Sequence, residues 1–126
     1  MLLFAYGTLK RGGKYHDYLE EAELVEERAI AKGTLYDTEM GYPALVLSGT
    51  NPVEGEIYDI PDVLWPALDY LEDYSGNPEK DLYDKVTIQV ESESSVYETM
   101  VYMAKDKKLL KKQIASGTWE IVHSVV

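Results

Sequence analysis

Val53-Glu54-Gly55-Glu56-Ile57-Tyr58-Asp59-Ile60-Pro61 is the stretch on which the fold turns. Val53, Gly55 and Ile57 fall on one side of an extended chain, and Glu54, Glu56 and Tyr58 on the other. This two-residue period marks a half-exposed β-strand whose glutamates face water. Pro61 then opens a helix expected to reach Tyr74, because proline suits a first helical turn. The turn formers at 75–78 stop it.

The elements on either side are mostly strands. Residues 2–6 read as a short buried strand ended by Gly7, followed by a polar, glycine-punctuated loop over 8–13. Residues 15–23 have room for one or two helical turns. Residues 24–36 are β-branched and aromatic with Gly33 interrupting, which predicts a bent or bulged strand. A turn at 41–43 leads to a buried strand at 44–47 and a loop at 48–52. Further along, 82–90 and 96–103 pair across the polar loop 91–95. A short helix is expected at 105–115, closed by Gly117, and a last strand or extended tail at 119–125. Strands outnumber helices and few crossover helices separate them. The predicted fold is therefore α+β, a small, mainly antiparallel β-barrel with short flanking helices. The length of 126 residues fits a single domain over 1–126.

Composition narrows the function. Twelve basic against 23 acidic residues give a net charge of −11, which argues against a nucleic-acid partner. Eleven tyrosines, two tryptophans and one phenylalanine supply a proper core. The absence of cysteine excludes disulfides, thiolate zinc sites and Cys nucleophiles. No run approaches the roughly 18 apolar residues of a membrane span, and the first residues lack a signal-peptide pattern. A cytoplasmic protein with no membrane partner is expected. No long exposed apolar pattern suggests a dimer face, so a monomer is expected.

Two places carry chemistry. In Tyr6-Gly7-Thr8-Leu9-Lys10-Arg11-Gly12-Gly13, a glycine at the exit of a buried strand lets a ligand approach backbone N–H groups, which can form an anion nest. Gly7 and Gly12 have Walker A spacing, but Gly13 stands where the lysine belongs. An ordinary glycine-rich turn is the plainer alternative. The second place is Glu72. On a helical wheel it falls between Leu68 and Trp65, while Asp62, Asp69 and Asp73 gather on a solvent face. A carboxylate at that apolar boundary is partly desolvated and becomes a better base near neutral pH. Alternatively its stem lies on apolar surface and its head reaches water. His16 and His123 are far apart with no ligand spacing around them, so no metal is expected. The lysines at 105, 107, 108, 111 and 112 read as a solvated helix face.

The blocks Tyr6-Gly7-Thr8-Leu9-Lys10-Arg11-Gly12, Gly41-Tyr42-Pro43-Ala44-Leu45-Val46, Val53-Glu54-Gly55-Glu56-Ile57-Tyr58, Leu68-Asp69-Tyr70-Leu71-Glu72 and Tyr83-Asp84-Lys85 together resemble the γ-glutamylcyclotransferase superfamily. They are closest to its γ-glutamylamine cyclotransferase, AIG2-like branch, over about residues 2–103. The resemblance implies a small β-barrel with flanking helices. It implies a γ-glutamyl small-molecule substrate cradled by Tyr6, Gly7, Thr8 and Leu9 with Tyr83, and Glu72 as catalytic acid/base. It also implies release of 5-oxoproline and an amine without a cofactor. Asp73 stands where many relatives have glycine, Lys85 where they have arginine, and Tyr15 where close relatives carry asparagine. A non-catalytic binder of γ-glutamyl compounds is the alternative on the same fold. A protein-interaction domain, docking through the acidic run at 17–27 and the lysine cluster, is a further one.

Overall fold

The computed structural model describes residues 1–77, 79, 81 and 83–121. Its strands are β1 (Leu2–Ala5), β2 (Glu23–Asp37), β3 (Pro43–Asp59), β4 (Tyr83–Glu91), β5 (Val96–Ala104) and β6 (Lys112–Gln113), with one α-helix, α1 (Trp65–Leu71). The strand order is β3-β1-β5-β4-β2-β6, and a further pairing of β2 with β3 closes the first five into a barrel. All neighbours are antiparallel except β1 and β5, which run parallel at Leu3 and Met100. The barrel agrees with the sequence expectation.

All five barrel strands contribute to one apolar cluster that includes Phe4, Ala31, Ile57, Val90 and Val101, the barrel interior. A second cluster packs α1 and the first 3-10 turn, through Trp65, Leu68 and Leu19, onto the outside of β1, β3 and β5. Strand β1 therefore has both faces covered, which is why it reads as an unbroken apolar run.

Three elements differ from expectation. Strand β3 is continuous from Pro43 to Asp59, and the expected loop is an excursion of four residues, 47–50, between the pairs Gly33–Asn51 and Thr34–Val46. Its second half is not half-exposed. Glu56 and Tyr58 are buried, because the loop after β1 and the outer cluster cover the face assigned to water. The helix after Pro61 is a 3-10 turn (Asp62–Leu64) followed by α1, with Pro66 in its first turn. It stops at Leu71 rather than Tyr74. Finally, 105–115 holds only a 3-10 turn, Lys107–Leu109, and then strand β6. Backbone pairing with the end of β2, including Ile114 N–H to the Leu35 carbonyl, outweighs helix propensity there. The lysines are exposed as read, though not on a helix. Residues 119–121 form no strand, and the rest of that stretch, with His123, lies outside the described residues.

Candidate active site

The chain leaves β1 at Tyr6 and turns at once. Gly7 makes this possible, since a Cβ there would lie 2.6 Å from the ring of Pro43 at the start of β3. The turn is held by Lys10 N–H to the Gly7 carbonyl (3.1 Å) and Tyr15 N–H to the Thr8 carbonyl (2.9 Å). Among the described residues, the N–H groups of Gly7, Thr8 and Leu9 donate to no protein acceptor. Three successive amides therefore remain available to an anionic or carbonyl oxygen.

Glu72 arrives from the other side on the end of α1. The helix closes with Asp73 N–H on the Tyr70 carbonyl (3.2 Å) and Tyr74 N–H on the Asp69 carbonyl (2.8 Å), a Schellman arrangement. This motif needs a left-handed residue after the cap, and Asp73 fills the place at φ 52°. Glycine adopts this conformation most readily, and Asp73 adopts it at a steric cost. The stop leaves Glu72 at the helix cap, on the side of the buried Leu68 and Trp65.

Loop and helix end face each other across a cavity of about 180 Å³. Tyr6, Gly7, Thr8, Leu9, Glu72 and Tyr83 all line it, so every sequence-predicted site residue meets at one place. Tyr15, Tyr42, Tyr102 and Asp73 line it as well. Three of the five phenols bordering it carry committed protons: Tyr6 donates to the Tyr102 carbonyl, Tyr83 to the Pro43 carbonyl (3.1 Å) and Tyr102 to Asp69 Oδ1 (2.6 Å). Burial pushes the pKa values of all three up, and the nearby Glu72 carboxylate pushes the same way. Glu72 has no hydrogen-bond donor among the described residues and no cation to offset its loss of water. Burial alone lifts its pKa from 4.5 to about 7.

Asp69, read as a solvent-face residue, is instead partly buried. It takes Lys85 Nζ at 3.1 Å besides the Tyr102 hydroxyl. The same Nζ lies 4.2 Å from the ring centroid of Trp65. Lys85 therefore ties α1 to β4 rather than lining the cavity. His16 sits outside the cavity, with Nδ1 on the Leu9 carbonyl at 2.9 Å. Sequence reasoning missed Tyr42 and Tyr102 as lining residues. Tyr42 lay within a quoted block, but nothing in the period of β5 set Tyr102 apart from a core tyrosine.

The family model described as gamma-glutamyl cyclotransferase, AIG2-like, covers residues 3–121. The chain belongs to that family. The gamma-L-glutamyl-butirosin B gamma-glutamyl cyclotransferase of Niallia circulans is 35% identical to this family member over 102 residues, which are 80% of the chain and 65% of that relative. The chain thus spans just under two thirds of that relative's length. YkqA of Bacillus subtilis superposes with a TM-score of 0.75 at 28% identity, over 94% of this chain and 39% of YkqA. A mouse AIG2-like protein superposes with a TM-score of 0.71 at 22% identity, over 98% and 87% of the two chains, a likeness of fold. Among the described residues no helix is long and apolar enough to cross a membrane.

Proposed function

We propose that this chain is a γ-glutamyl cyclotransferase acting on γ-glutamyl amines or γ-glutamyl-amino acids, with Glu72 as general acid/base. The observation that carries this reading is that one cavity is lined both by Glu72, whose carboxylate is unpaired, and by Gly7, Thr8 and Leu9, whose amides are free. Family membership and the activity in the name of the Niallia circulans relative support it.

The mechanism follows from proton accounting. The substrate's α-ammonium is no nucleophile until it loses a proton. A carboxylate with its pKa near 7 is a stronger base than an exposed glutamate and is still ionised in much of the protein at neutral pH. The freed amine attacks the substrate's own γ-carbonyl carbon, and the new C–N bond closes a five-membered lactam. The carbonyl oxygen gains negative charge as the ring forms. The free amides of the loop can donate to it, as can the hydroxyls of Tyr15 and Tyr42, whereas the Tyr6, Tyr83 and Tyr102 protons are already given to protein acceptors. The ring nitrogen, cationic after attack, gives up its second proton to solvent, and Glu72 returns the first to the leaving nitrogen as the original amide bond breaks, giving 5-oxoproline and a free amine. Both reacting groups belong to one molecule, so a small cavity that holds the folded-back conformer supplies much of the acceleration. Tyr83 and Tyr6 shape that cavity.

The alternative of a non-catalytic binder drew on Lys85 and Asp73. Lys85 is engaged with Asp69 and Trp65, away from the cavity lining, and Asp73 meets a backbone requirement. Neither departure removes a group the reaction uses. Release of 5-oxoproline from a panel of γ-glutamyl compounds tests the proposal. Turnover of one or more members is expected. Ligand-induced thermal stabilisation without any 5-oxoproline would establish the binder instead.

A further inference from the structure

The outer side of the cavity loop is gripped by a carboxylate that the chemistry above does not use. Glu56 lies on β3 with its side chain only 10% exposed. Its Oε1 accepts the backbone N–H of Arg11 at 2.9 Å and the hydroxyl of Tyr58 at 2.8 Å, and its Oε2 accepts Arg11 Nε at 3.1 Å. A carboxylate taken from water is costly unless donors meet its lone pairs. Here three do, and two come from one loop residue. The Arg11 side chain is itself 49% exposed and also reaches Glu27 on β2 at 3.5 Å, so a surface pairing was open to it without burying an acid.

The loop is built to transmit such a grip. Gly13 N–H bonds the Lys10 carbonyl at 2.8 Å, and a Cβ on Gly13 would lie 2.3 Å from the Thr8 carbonyl oxygen. Residues 7–13 therefore form a tight knot, with the free amides of Gly7, Thr8 and Leu9 at its cavity end and Arg11 at the other. Strand β3 is fixed in the barrel by its pairings with β1 and β2. The path from barrel wall to cavity amides runs from Glu56 through the Arg11 backbone.

We propose that Glu56 is a positioning residue: by holding Arg11 through its main chain, it sets where the amides of Gly7, Thr8 and Leu9 stand relative to Glu72. The inference rests on the reading that those amides receive substrate. The grip is the main-chain bond more than the ion pair, because the guanidinium is half in water, and so exposed an ion pair holds little.

Three variants separate these contributions. Glu56→Gln keeps an Oε1 acceptor, and Arg11→Ala keeps the backbone N–H. Both are expected to hold kcat within about threefold of wild type and to keep the Arg11 amide protected from hydrogen exchange. Glu56→Leu combined with Tyr58→Phe removes the carboxylate together with its buried hydroxyl donor, so the Tyr58 side chain is not left with an orphaned polar group, and frees the half-exposed Arg11 side chain to water. It is expected to lower kcat by about 10- to 100-fold and to raise KM. The amides of Gly13 and Tyr15 should exchange at least about tenfold faster. The pH at which kcat/KM is half-maximal should stay fixed, since Glu72 is untouched. A mere loss of folded protein would lower kcat with KM unchanged. That pattern, or wild-type kcat and KM with unaltered exchange, would overturn the proposal. Should the double variant not fold, Glu56→Gln decides: a kcat loss beyond tenfold with the Arg11 amide still protected contradicts a main-chain grip. Should the chain turn over no γ-glutamyl compound, the exchange rates of the ligand-free protein still judge the grip, independently of the reaction.

Discussion

Replacing Glu72 with glutamine keeps the side chain's size and removes a charge that its surroundings disfavour. Burial holds the Glu72 carboxyl at about 7 rather than 4.5, so the folded chain binds that proton more tightly than the unfolded chain does. Below about pH 4.5 the group is protonated in both states and costs nothing. Its cost grows as pH rises from there and is complete above about pH 7. At about 1.36 kcal/mol per pH unit the ceiling is about 3 kcal/mol. Part of Glu72 faces the open cavity, so about 2 kcal/mol is the expected size. Glutamine has no such dependence. Urea unfolding of wild type and Glu72→Gln at about pH 5 and about pH 8.5 gives the stability difference at each end. That difference should move by about 1–2 kcal/mol in favour of the glutamine variant as pH rises. A difference constant within about 0.5 kcal/mol would refute the claim that Glu72 is desolvated and unpaired, and with it the physical case for its being the base.

Other outcomes follow from the same geometry. Glu72 must be ionised to accept a proton, so kcat/KM should rise with pH through a midpoint of about 7; a midpoint near 4.5 would mean an exposed glutamate. Asp73→Gly relieves a left-handed backbone at φ 52° and should add about 0.5–1 kcal/mol in thermal unfolding, and a loss would mean that the Asp73 carboxylate stabilises the helix end. Lys85→Met removes the cation held by Asp69 and should cost about 1–3 kcal/mol, while Lys85→Arg, whose fork also suits a carboxylate, should recover most of it in the same denaturation assay.

The barrel was legible because its strands carry local signals: the covered run of β1, the alternation of β3, and the polar break at 91–95 between β4 and β5. The cavity loop and Glu72 were legible for a related reason. A glycine at a strand exit and an acid at the apolar edge of a helix are departures from pattern that one sequence displays. What stayed hidden depends on long-range covering. The alternation that sent Glu56 to water was right about its side of β3, but not about the loop from β1 that lies over it. The same applies to Asp69, whose partners Lys85 and Tyr102 lie 16 and 33 positions away. The helix expected at 105–115 failed because the end of β2 offered an unpaired edge that no local propensity reveals. The early stop of α1 turned on Asp73 adopting a conformation usually left to glycine.

The most direct test of the central claim is 5-oxoproline formation from a γ-glutamyl amine by wild type and Glu72→Gln at saturating substrate near pH 8, with binding followed in parallel by thermal stabilisation. Wild type should release 5-oxoproline and the free amine in equal amounts. The glutamine variant should still bind but turn over at least about 100-fold more slowly. Equal rates from the two proteins would contradict Glu72 as the acid/base.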